Sequence, residues 1–83
     1  MKFYVIGSRE IVLAFNMVGV DGVYAETRDE VLDAFNRATG KHGESNLPHG
    51  EVPRVLILTE DAAALIEDEE YAWQKTGKYP LIV

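Results

Sequence analysis

Apolar positions along this chain alternate between unbroken runs and a three-to-four-residue repeat, the pattern of strands alternating with helices. The run Val55-Leu56-Ile57-Leu58 predicts a strand buried on both faces. Thr59-Glu60-Asp61 interrupts it with side chains suited to open a helix, which Ala62-Ala63-Ala64-Leu65-Ile66 begins. Such a strand needs helices above and below it, and the other segments read as its cover or its neighbours.

Lys2-Phe3-Tyr4-Val5-Ile6 is a β-branched and aromatic first strand, stopped by Gly7. Ser8 suits the N-cap of a helix from about Arg9 to Val18, with Gly19 at its stop. Ile11, Val12, Phe15 and Val18 share one helical face and are expected to pack on the sheet. Leu13 and Met17 project from roughly the opposite side.

Val20 to Ala25 fits a short second strand, with Asp21-Gly22 as a turn or bulge before it. Thr27-Arg28-Asp29-Glu30 has the form of a capping box, and Val31, Leu32, Phe35 and Ala38 follow on one face. This second helix is cleanly amphipathic, a contrast that singles out Leu13 and Met17. Thr39 to Val52 reads as a long loop. In the third helix Ala62, Leu65, Ile66, Ala72 and Trp73 can face the sheet. Glu69 falls in the same stripe, which predicts a bend near Asp68–Glu70. Thr76-Gly77-Lys78 closes the helix, and Leu81-Ile82-Val83 is a fourth strand. This succession predicts a single domain over residues 1–83 with parallel pairing by right-handed crossovers. The expected fold is α/β, a small flavodoxin-like (receiver-like) four-stranded parallel sheet of order 2-1-3-4 with helices on both faces.

Composition narrows the functions this fold can carry. At 83 residues folding hides only about 60–65% of the unfolded chain's surface, so a partner would add stability. The absence of cysteine excludes disulfides, thiolate catalysis and thiolate metal sites. Eight Lys+Arg against 14 Asp+Glu give a net charge of −6, which repels a nucleic-acid backbone. The acids Glu60, Asp61, Glu67, Asp68, Glu69 and Glu70 read as a solvated helix face, or as an electrostatic match to a basic partner. Apolar runs are too short for a membrane helix and MKFYVIG is too strand-like for a signal peptide, so the expected location is cytoplasmic.

Ligands of such folds sit beyond the carboxyl ends of the strands, here near Gly7-Ser8-Arg9-Glu10 and Thr59-Glu60-Asp61. A phospho-receiver needs carboxylates clustered after the first strand and an Asp at the tip of the third. The first turn supplies Glu10 beside Arg9, and the third strand ends Leu58-Thr59-Glu60. A phosphate-binding turn needs several glycines, and Gly7 stands alone. His42 and His49 share the long loop with Glu44 and Glu51 at no regular ligand spacing. Tyr71 and Trp73 read as the edge of a core. The expectation is no catalytic residue, no cofactor, no metal and no small-molecule substrate.

Four stretches together carry a family resemblance: KFYVIGS, IVLAFNMVGVDGV, LILTEDAAALI and GKYPLIV. In this order and spacing the chain resembles the F subunit of the V-type (archaeal/vacuolar-type) ATPase or ATP synthase. The turn Ser8-Arg9-Glu10 departs from the acidic turn usual there, the 39–52 loop is longer, and the family's C-terminal tail is missing after Val83. The resemblance implies a non-catalytic central-stalk (rotor) component that binds the coiled-coil D subunit inside the catalytic A/B hexamer. It would help couple ATP hydrolysis or synthesis to ion transport, and would be membrane-associated only through the complex. Leu13 and Met17, on the surplus apolar side of the first helix, are the expected partner-binding residues. The competing reading is a phosphorylation-incompetent, receiver-like interaction module in signalling.

Overall fold

In the computed structural model, residues 3–40 and 53–83 are described. The elements run β1 (Phe3–Gly7), α1 (Arg9–Asn16), β2 (Asp21–Tyr24), α2 (Arg28–Thr39), β3 (Val55–Leu58), α3 (Glu60–Leu65), α4 (Glu67–Thr76) and β4 (Leu81–Ile82). The four strands form one all-parallel sheet of order β2-β1-β3-β4, as the strand-helix alternation predicts. Register pairs Phe3 with Val55 and Val55 with Leu81, so these three side chains share one face under the two-residue period.

Across that period lies the main core. Ile6, Leu56 and Leu58 pack with Val31, Ala34, Phe35 and Ala38 of α2, and with Ala62 and Ile66 of α3 and its end. Trp73 of α4 joins the margin of this cluster and donates from its indole N–H to the Pro80 carbonyl at 3.0 Å. All three of these helices therefore lie on one side. Among the described helices, α1 lies on the other side, packed against β1 and β2 through its buried Val12.

Several boundaries differ from those the pattern predicts. Asp21 and Gly22 belong to β2 rather than to a turn, because Gly22 pairs with Val5 so closely that a side chain would strike it. Helix α1 stops at Asn16 and turns through Met17 to Gly19, whose φ of 86° suits glycine. Thr39 ends α2 instead of opening a loop: its hydroxyl donates to the Phe35 carbonyl, and Gly40 takes the left-handed cap. The rest of the expected loop, with both histidines, lies outside the described residues.

The third helix is two helices. Its break falls at Ile66 (φ −134°, ψ 38°), before the expected bend at Asp68–Glu70. Ile66 is fully buried, so its side chain stays in the core while the backbone changes direction. Glu69 thereby leaves the sheet-facing stripe and meets Arg28 at 2.6 Å, and Ala72 is exposed.

Candidate partner-binding surface

The carboxyl ends of the strands are the natural place to seek a ligand site on this fold. Ser8, Ala25, Glu26, Thr59, Asp61, Ala62 and Leu65 line a shallow cleft there of about 260 Å³. A Cβ on Gly7 would meet the Thr59 side chain, so Thr59 fills the space beside the first turn. The Thr59 hydroxyl in turn accepts the Ala62 N–H at 3.3 Å and caps α3. Ser8 holds the N-cap position of α1 through its extended backbone, without a capping bond from its side chain. Among the described residues, no three His, Cys, Asp or Glu side chains gather where they could hold a metal ion.

The apolar surface elsewhere is more distinctive. Leu13 of α1 is 51% exposed, and Met17, at the C-cap of that helix, 88%. Two residues expected to pack on the sheet depart from that: Ile11 of α1 is 40% exposed, and Val18, in the turn beyond the helix, 75%. Helix α1 packs mainly on β2 and β1, and it ends at Asn16, so Val18 falls in the turn toward Gly19 and not on the helical face that the repeat predicts.

Beside α1 the described helices leave part of the sheet open. Val55 and Ile57 of β3 are only half-buried, and Leu81 and Val83 are 52% and 69% exposed. Among the described residues, the helix expected on each face of β3 is present on the α2–α3 side. At the amino end of this bare region Arg54, Val55, Tyr79 and Leu81 line a depression of about 400 Å³, with the Arg54 guanidinium 4.7 Å from the Tyr79 ring centre. The residue pattern did not single out this surface, because an apolar run shows how much cover a strand demands and not whether the chain supplies it.

Arg28 bridges α2 to the α3–α4 joint, donating to Glu69 and to the Leu65 carbonyl at 2.7 Å. The Glu69 hydrogen bond and charge raise the Arg28 pKa above its ordinary value. Hydrogen bonds from the backbone N–H groups of Glu26 and Thr27, and from the Thr27 hydroxyl, hold the Glu30 carboxyl below the usual carboxylate range. No helix among the described residues is long and apolar enough to cross a membrane.

Comparison with known proteins places this arrangement in context. No match was found among the curated proteins or among the solved structures. The family model of the ATP synthase (F/14-kDa) subunit matches residues 3–83, from the first strand to the last. The chain belongs to the family of the ATP synthase (F/14-kDa) subunit.

Proposed function

We propose that the chain is the non-catalytic F subunit of a V-type ATPase or ATP synthase, part of the central rotor stalk. It binds the coiled-coil D subunit within the A/B catalytic sector and helps couple ATP hydrolysis or synthesis to ion transport. Its place is cytoplasmic, at the membrane only through the complex. The observation that carries this reading is the family match over residues 3–83. The physical features agree with it: apolar side chains are displayed on α1 and in the turn after it, where a partner can reach them.

On this reading Leu13 and Met17 contribute to the partner contact. Their burial in a complex would return the transfer free energy of two large apolar side chains, about 1.5–3 kcal/mol each when complete. Co-purification with the coiled-coil component of the same complex is the direct test, with a stable one-to-one complex expected. No association with the full-length protein removes the proposal.

A further inference from the structure

We infer that residues 67–83, helix α4 with strand β4, form a hinged flap that opens as one unit about Ile66 and is latched shut by Arg28. The flap belongs to the chain by itself, so the inference stands apart from the stalk reading.

Little apolar surface holds this segment down. Helix α4 has no buried residue, whereas α2 buries Val31, Ala34, Phe35, Ala38 and Thr39. Between Glu67 and Val83 only Pro80 is fully buried, and Trp73 and Ile82 are half-buried at the margin of the core. The cost of opening a segment scales roughly with the apolar surface it exposes. A segment so lightly buried therefore opens below the cost of unfolding the whole chain.

Bonds within the segment make it one body. The Trp73 indole N–H, donated to the Pro80 carbonyl, joins α4 to the start of β4. Between them the Thr76 hydroxyl donates to the Trp73 carbonyl at 2.7 Å and accepts the Lys78 N–H at 3.1 Å, which fastens the turn at Gly77. Backbone bonds hold β4 to β3: the Leu81 N–H donates to the Arg54 carbonyl at 2.8 Å. The Val83 N–H donates to the Leu56 carbonyl and the Leu58 N–H to the Val83 carbonyl, both at 3.0 Å. Opening the flap breaks these bonds and bares the outer edge of β3.

Ile66 has the properties of a hinge. Its N–H donates to the Ala63 carbonyl at 3.1 Å and finishes α3, while its carbonyl accepts the Glu70 N–H at 2.9 Å and starts α4. Its side chain is fully buried, and its backbone (φ −134°, ψ 38°) already lies outside the helical region. Such a residue absorbs a change of backbone angle while its side chain stays anchored. Arg28, the first residue of α2, reaches both sides of this pivot. Its guanidinium donates to the Leu65 carbonyl at 2.7 Å ahead of Ile66 and to the Glu69 carboxylate at 2.6 Å beyond it. Together the two bonds fix the angle between α3 and α4 from an element outside the flap, which is the geometry of a latch.

The test is hydrogen exchange of the full chain, read amide by amide by NMR at low urea concentrations, for wild type, Arg28→Ala and Glu69→Gln. In the wild type the amides of α4 and those of Leu81 and Val83 are expected to share one opening free energy and one urea slope. Both values should lie below those of the α2 and β1 amides. Arg28→Ala should speed exchange in α4 and at Leu81 and Val83 by the same factor, about three- to tenfold, and Glu69→Gln by a smaller common factor. The shared response is diagnostic because Arg28 bonds to the first turn of α4, far along the chain from β4. Flap amides that exchange no faster than those of α2 and β1 overturn the inference, since global unfolding is then their only route. A variant that speeds α4 and leaves Leu81 and Val83 unchanged also overturns it, making α4 and β4 separate fraying ends.

Discussion

Thr27 and Glu30 exchange hydrogen bonds across the start of α2: the Thr27 hydroxyl accepts the Glu30 N–H, and the Glu30 carboxylate accepts the Thr27 N–H, each at 3.2 Å. The spacing of these residues announces the arrangement, because a capping box is closed by neighbours in the chain and needs no tertiary contact. Thr27→Ala is expected to cost about 1 kcal/mol, read from the urea midpoint at unchanged slope. Because folding depresses the Glu30 pKa, its contribution is complete above the unfolded-state value of about 4.3 and is lost as pH falls through the lower folded-state value. Glu30→Gln should therefore be less stable than wild type at neutral pH, with the gap narrowing in acid-unfolding curves below about pH 4. A different residue-scale effect sits in the core. Phe35, 1% exposed between α2 and the sheet, should cost about 3–5 kcal/mol when cut to alanine. For a domain whose whole stability is about 4–12 kcal/mol, calorimetry should find Phe35→Ala close to unfolded at ambient temperature.

The elements show where local pattern stops being sufficient. Helix α2 and strand β3 follow from periodicity and caps in the chain, and α1 from its periodicity as far as Asn16. The break between α3 and α4 does not. A bend is legible in the misplaced Glu69, yet its position is fixed by Ile66, which must reach the core, and by Arg28, 37 residues away from the Leu65 carbonyl it caps. Arg28→Ala should consequently destabilise more than Glu69→Gln, since it also strips the partner from a helix-terminal carbonyl. Thermal unfolding of the two variants side by side checks the order. Gly22 is a similar case: a glycine before a strand reads as a turn, and only the pairing of β1 with β2 reveals the space it must leave for Val5.

For the molecule as a whole, strand order was legible because right-handed crossovers leave few alternatives. The same order contains the asymmetry of cover. Moving from β1 to β2 runs one way along the sheet, while both later crossovers run the other, so α2 and the α3–α4 pair share a face and α1, among the described helices, takes the opposite one. The apolar count of β3 suggests equal cover on both sides; the direction of the crossovers denies it. Exposure of Leu13 and Met17 follows from the helix repeat, and their expected partner contact is a matter for binding measurements. Leu13→Asp/Met17→Asp should leave circular dichroism unchanged and weaken association with the coiled-coil component by at least tenfold, as read by calorimetry.

The indole of Trp73, hydrogen-bonded to the carbonyl just ahead of β4, has a practical consequence. It is the single tryptophan of the chain, and it straddles the joint between the last helix and an edge strand only two residues long. Detachment of that edge would move the indole into water before the centre of the sheet is disturbed. The protein thus carries an intrinsic fluorophore at one rim, whose emission wavelength reports the state of the outermost strand separately from global unfolding.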